Sequence, residues 1–468
     1  MSGRSGGLTW AQREWFMWVP PGSPSAFEAN QTCVSPGYGA GLDHVIAAVR
    51  DVLARHEGLR TIVSHEPGGV REAGHAAADV RAEGHGAVGE LRQHVRADEP
   101  LGELRQHVQA VDERLADVVR VHRDGGELGQ AAWHPFDLTA EWPVRVHVFT
   151  VGRRVRRIAL VLDHSAVDAW AIRVLCSDLA AAIRARSAGL EPYGPRQVEQ
   201  PIDAAGWEAS PQGRAHQVRA ERFWHARLTD LRERLDGYRA RPRAGLGLSA
   251  EPYHSCRLAS GRLARAAAAL SAASGLPVAS VYLAAFGVTV RRAEDAPAAG
   301  VFAFTANRLS AGAKASVRKA VMHAPVVVGD GGLGDELHGC AAQQLHGHRF
   351  ANLDPRASTR MCDELLGGHH RTGVAYARFN YIDDTVVGPL ANSRSLDEEA
   401  IRYQDPAEQE RLFHRRPRGD GAEYQLTVQH SPAGALLTLA WREDTGWGEQ
   451  AEDMLRGLAE LVVGEASR

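Results

Sequence analysis

Val161-Leu162-Asp163-His164-Ser165-Ala166-Val167-Asp168-Ala169-Trp170 is the stretch that decides how this chain folds. An apolar run, Ile158 to Leu162, ends abruptly in an acid and a histidine, and a second acid stands four residues after the histidine. The run predicts a buried strand. Ala171 to Arg186, apolar at Ile172, Leu175, Leu179 and Ile183, predicts a helix with one buried face. His164 then belongs to the connecting loop, where a rigid scaffold commonly holds catalytic groups. A neutral imidazole, with an ordinary pKa of about 6.5, suits proton transfer near neutral pH. The plainer alternative is a polar loop in which Asp168 caps the helix or pairs with a buried arginine.

Working outward, the 468 residues exceed one ordinary core and leave room for two domains. A hydrophobic fraction of 44% and a charged fraction of 24% are those of a soluble globular protein. A formal net charge of −3 gives no reason to expect nucleic acid as a partner. The five cysteines are scattered and never form CxxC, which argues against a disulfide framework or structural zinc and fits a reducing cytoplasm. Met1 to Gly7 lacks the apolar core of a signal peptide. Ala266 to Val290 carries no charge, but Ser274-Gly275-Leu276-Pro277 interrupts it, so two helical pieces are expected and no membrane span.

Along the chain, Leu8 to Arg13 reads as a helix opening with Thr9 as its N-cap. Leu42 to His56 repeats apolar residues at helical spacing, and Thr61 to Val63 reads as a short strand. From Glu66 to Asp112 the composition turns polar, and Gly-Glu-Leu-Arg-Gln-His-Val occurs twice, at 89–95 and 102–108. This reads as a local duplication in a surface segment, with no metal site expected from His94 and His107. Val118 to His122 and Val144 to Val151 have strand character. Ser187 to Pro201 has a linker composition, so the boundary is placed there: units 1–188 and 189–468, joined by a linker at about 187–205. Beyond it come helices at 214–235, 278–292, 336–349 and 448–464, and strands at 300–306, 324–328, 376–382 and 424–430. The expected class is α/β (α+β), two units of mixed sheets flanked by helices.

Other constellations are weaker. His369-His370 lacks an acid at a useful distance, and Gly329 to Gly334 fits GxGxxG but leads into Asp335-Glu336, so a turn is expected rather than a phosphate cradle. His56-Glu57 is not followed by the second histidine of a zincin. The GxSxG of Gly3 to Gly7 stands in a polar tail with no strand before it.

A family resemblance ties the remaining features together. Leu8-Thr9-Trp10-Ala11-Gln12-Arg13-Glu14-Trp15 looks like the opening motif of nonribosomal peptide synthetase condensation domains, and Ala54 to Thr61 is similar to their RHExLRT segment. His134-Pro135-Phe136-Asp137-Leu138 with Trp142-Pro143-Val144-Arg145 resembles their PFDL stretch, and Asp163 to Trp170 sits where HHxxxDGW belongs. Val281 to Phe286, Ala306-Asn307-Arg308 and Phe379-Asn380-Tyr381 resemble later motifs, in order over nearly the whole chain. The resemblance implies two chloramphenicol-acetyltransferase-like halves arranged as a V around a channel. It implies a donor acyl thioester on the phosphopantetheine arm of an acyl or peptidyl carrier protein, attacked by a small-molecule amine or alcohol, with no permanently bound cofactor and no metal. His164 matches the functionally dominant histidine, Asp168 the structural aspartate, and Arg308 is the candidate for its partner. Trp170, Asn380 and Tyr381 are assigned to the substrate channel.

This sequence departs from the family where Asp163 replaces the first histidine, Ala169 the glycine, and Val321-Met322-His323-Ala324-Pro325 the usual VGxFVNT wording. A carboxylate near His164 would raise its pKa, but neighbouring side chains at a strand end point to opposite faces, which would turn Asp163 to the core. The expectation is a free-standing, cytoplasmic condensation enzyme forming an amide, less readily an ester. The alternatives are a catalytically silent docking relative and an acyl-CoA-dependent or epimerising one.

Overall fold

The computed structural model describes residues 3–18, 30–65, 104–123, 128, 134–194, 198–239, 253–367, 372–383, 411–415, 424–431, 434–442 and 448–468. The first copy of the repeated heptapeptide, with His94, and the His369-His370 pair lie outside them.

The N-terminal elements are β1 (Ser5–Gly7), α1 (Trp10–Trp18), β2 (Gln31–Pro36), α2 (Leu42–Arg55), β3 (Thr61–His65) and β4 (Leu104–Val108). After a short α3 (Leu115–Val118) come β5 (Val119–His122), β6 (Val144–Val151), β7 (Arg154–Leu162) and α4 (Ala169–Ser187). β2, β7, β6 and β5 form a four-stranded sheet in that order, antiparallel except for the parallel β5–β6 pair. Strand alternation sorts β6: Val144, Val146 and Val148 enter the core with Val45, Val49 and Val52 of α2 and Ile172, Leu175, Leu179 and Ile183 of α4. Each fully buried aliphatic side chain contributes about 1.5–3 kcal/mol of transfer free energy, enough to fix the ends of β7 and α4 that flank the loop.

A separate three-stranded sheet, β1-β4-β3, corrects one expectation. The second repeat copy is not surface: residues 104–108 form the central strand, with Gln106 fully buried and Val108 nearly so. Two-residue alternation, rather than helical spacing, sets its faces. His107 Nδ1 and Nε2 each pair with a hydroxyl, of Ser5 (2.9 Å) and Ser64 (2.8 Å).

The chain continues through α5 (Pro201–Glu208), α6 (Pro211–Arg234), β8 (Tyr253–Ser260), α7 (Gly261–Ser274), α8 (Val278–Ala293), β9 (Ala299–Thr305), α9 (Ala311–Lys314) and β10 (Met322–Val328). Next are α10 (Leu333–Phe350), α11 (Pro355–Leu366), β11 (Ala377–Asp383), β12 (Arg411–Arg415), β13 (Tyr424–Ser431), β14 (Gly434–Arg442) and α12 (Gly448–Ala466). A seven-stranded mixed sheet runs β10-β9-β11-β13-β14-β8-β12, with β11 parallel to both its neighbours. α7, α8 and α12 cover one face, and Trp224, Leu228 and Leu231 of α6 pack with Phe302 and α11 in another cluster. Gly275, at φ 70°, ends α7 in the left-handed region, and Pro277 precedes α8, so the uncharged stretch bends by 109°. No single helix among the described residues is long and apolar enough to cross a membrane.

Candidate active site

The loop between β7 and α4 is built largely from its own polar groups. The Asp163 N–H still donates to Pro143 O (3.0 Å), the last rung of the sheet. Its Oδ1 then accepts from the Ser165 N–H (2.8 Å) and its carbonyl from the Ala166 N–H (3.1 Å), an Asx turn that ends the strand. Asp163 is 3% exposed, and burial pushes its carboxyl above the usual range against the opposing pull of Ser165 and Arg145. Asp163→Ala removes the acceptor for a buried N–H and is expected to cost about 1–3 kcal/mol. Asp163→Asn keeps that acceptor without the buried charge and should retain the wild-type midpoint in urea unfolding at pH 7.

His164 is half-buried. Its Nδ1 lies 2.6 Å from the Val167 carbonyl. A carbonyl only accepts, so Nδ1 carries the proton and Nε2 is the basic nitrogen of the neutral ring. The Trp15 indole of α1 meets the imidazole at 4.7 Å between centroids, inclined by 76°.

Asp168 fills both of the roles weighed for it. As N-cap of α4 it accepts from the Ala171 N–H (2.9 Å). Arg308 grips both its oxygens (2.8 and 2.9 Å), and the N–H groups of Ala320 (2.9 Å) and Val321 (3.0 Å) complete the clamp. Burial acts to raise the Asp168 pKa. The adjacent guanidinium and N–H groups outweigh it, and the carboxyl ends below its usual range. Arg308 also donates to Ala306 O and Arg318 O, and Asn307, at φ 50°, donates to Ala320 O. Asparagine is one of the few non-glycine residues that accept this left-handed conformation.

Trp170 Nε1 donates to Lys314 O (2.9 Å), and its ring lies under the Arg173 guanidinium. Asn380 and Tyr381 lie on β11, where Tyr381 packs on Tyr282 and His430 against the second core. The remaining motif residues brace the scaffold. His56, fully buried, and Arg55 both bind Asp178 of α4 (2.9 Å each), while Arg145 stacks on Phe136 and donates to His134 O and Pro135 O. The glycine loop at 329–334 has its Gly329 and Gly331 N–H groups bound by Glu336 and that of Gly332 by Asp335. Its own acids occupy the place a phosphate would need. Trp15 enters the sequence only as the end of the opening motif, and nothing there points to its distant partner.

α1 is held firmly at its start. Thr9 and Gln12 form a reciprocal cap, and the buried Glu208 carboxyl accepts from the Trp10 N–H (2.7 Å). Burial raises Glu208 to about 8. A raised carboxyl favours the protonated fold, so its contribution is complete below the ordinary carboxylate range and is lost as pH rises through about 8. The wild-type melting temperature should therefore fall between pH 7 and 9, and Glu208→Gln should flatten that fall.

No protein-family model matches the chain. Over 228 residues (47% of this chain, 2% of the other) it is 32% identical to the probable non-canonical nonribosomal peptide synthetase CymA of Salinispora arenicola. Over 202 residues (42% of this chain, 7% of the other) it is 30% identical to the isonitrile lipopeptide synthase of Mycobacterium tuberculosis. The chain thus spans a small part of these relatives' length. Among solved structures, the condensation domain of the monacolin K polyketide synthase MokA superposes with a TM-score of 0.67 at 14% identity, over 100% of this chain and 99% of that one. The epimerization domain of tyrocidine synthetase B, TycB3(E), gives 0.64 at 12% identity over 100% and 99%. The X-domain from teicoplanin biosynthesis gives 0.62 at 18% over 98% and 95%. The fold of the chain is thus that of condensation domains, and nearly half of its length is similar in sequence to nonribosomal peptide synthetases.

Proposed function

We propose that the chain is a condensation-type acyltransferase that joins a carrier-bound acyl or aminoacyl thioester to an amine, forming an amide, and less readily to an alcohol. One observation carries this reading: His164 presents a basic Nε2 from a loop whose far end is clamped by Asp168 and Arg308. The acceptor nitrogen attacks the thioester carbonyl, the C–S bond breaks, and the proton that His164 takes from the amine goes to the departing thiolate. Orienting two bound substrates supplies much of the rate, and a positioned base typically adds about 10²–10⁴-fold. The phosphopantetheine arm is part of the donor and comes from the partner carrier protein. We take the units as 1–188, with the His164 loop, and 189–468, with Arg308.

A silent docking reading is favoured by one feature, Asp163 in place of the first histidine, together with the fold shared with an X-domain. Fold does not fix function. The test mixes purified protein with a phosphopantetheine carrier bearing candidate acyl or aminoacyl groups, or with the corresponding acyl-CoA, plus amines and alcohols, and follows intact mass. Amide from the carrier-bound donor supports the proposal. Turnover of acyl-CoA alone reassigns the donor. No product from any donor, alongside measurable carrier binding, favours docking.

A further inference from the structure

α1 carries adjacent side chains that meet different parts of the molecule. Glu14, buried, has a carboxylate oxygen 2.9 Å from Nδ1 of His323 of β10, whose ring is boxed by Trp224, Phe302, Phe304 and Tyr376. The next residue, Trp15, stands against His164, and the buried Lys319 ammonium lies 5.5 Å from the same indole. Trp10 and Ala11 pack with Met322 and Ala324 of β10, whereas Phe16 packs with Val161 of β7. The helix is therefore bolted to the second sheet while touching the strand that delivers the catalytic loop.

An imidazole tethered at Nδ1 still has a soft torsion about its ring bond. A flat ring packed nearly at right angles to it restricts that torsion and holds the direction of Nε2. We infer that Trp15 is a positioning residue for His164, fixed in place from β10 through Glu14 and from the segment just before that strand by Lys319. The inference rests on the reading of His164 as the base, and it accounts for a contact that none of the motif roles uses. The sequence places Glu14 and Trp15 side by side on one helix, so a displacement of β10 reaches the His164 ring through a single rigid element.

The test compares Trp15→Phe with Trp15→Met and Trp15→Leu, the last two filling space without a flat ring. Nitrogen-15 NMR of the imidazole reads tautomer and titration without any need for turnover. Kinetics with the substrates that support activity give kcat and KM separately. Wild type should show one Nδ1–H tautomer. Met and Leu should show mixed tautomers and a kcat lower by about tenfold or more, with KM little changed, the acid limb of the pH–rate profile moved, and the melting temperature close to wild type. Phe should restore most of both signals. A single tautomer in the Met and Leu variants, or a Phe variant no better than Met, overturns the inference. Should His164→Ala turn over normally, the base reading falls by itself, and the NMR arm still decides whether Trp15 orders the ring.

Discussion

His164→Ala is expected to slow amide formation by roughly 10²–10⁴-fold, the usual contribution of a positioned acid–base group. Both KM values should change little, because the imidazole acts on the proton rather than on the bulk of either substrate. Truncation also deletes the hydrogen bond to Val167 O, which contributes about 1 kcal/mol to stability. His164→Asn separates the two effects. Its amide N–H occupies nearly the position of Nδ1 and keeps the bond to Val167, but it offers no basic nitrogen. Stability close to wild type with the same loss of rate is the expected outcome, read from initial rates by intact mass and from thermal melts. If His164→Asn matched the wild-type rate, orientation of the substrates alone would account for the catalysis.

Arg308→Ala should have the largest effect on stability, about 3–5 kcal/mol, because it leaves the buried Asp168 carboxylate without its counter-charge. Arg308→Lys should recover only part of that, since a point charge cannot grip both oxygens. Removing both charges, in Asp168→Asn combined with Arg308→Met, should cost less than the sum of the single losses. Urea unfolding midpoints of wild type, Asp168→Asn, Arg308→Met and the double variant close the cycle. The pH dependence follows from the depressed Asp168 carboxyl: its stabilisation is present above the ordinary carboxylate range and is lost as pH falls through its lower folded value. Asp168→Asn should therefore lose part of its disadvantage in acid.

The sequence announced β7, α4 and the loop between them, because an apolar run meeting an Asp-His step has few structural meanings. It also left open whether Asp168 caps a helix or pairs with an arginine, and the folded chain uses both, the two oxygens having room for every donor. Motif order brought Arg308 to attention; its reach across 140 residues is a property of the tertiary fold. The role of Asp163 was half legible. Strand alternation turns it inward, but its bond to Ser165 N–H depends on a turn that no period encodes. Trp15 stayed hidden because its partner lies on a distant segment. At 104–108 a five-residue strand whose central position is a glutamine offers little apolar contrast to mark it as buried. The strand at 31–36 is hidden in the sequence by its small and polar residues.

The clamp on Asp168 also sets an order of events during synthesis. Its loop is polymerised well before Arg308, and at about 5–20 residues per second the 140-residue interval lasts roughly 7–30 s. Throughout that interval β7 and α4 can pair with their neighbours, while the carboxylate of Asp168 remains in water and the His164 loop lacks its final anchor. The loop that carries His164 therefore gains its full clamp only after residues 308, 320 and 321 have been made, and a nascent chain stalled before residue 308 would carry the strands of the first sheet without it.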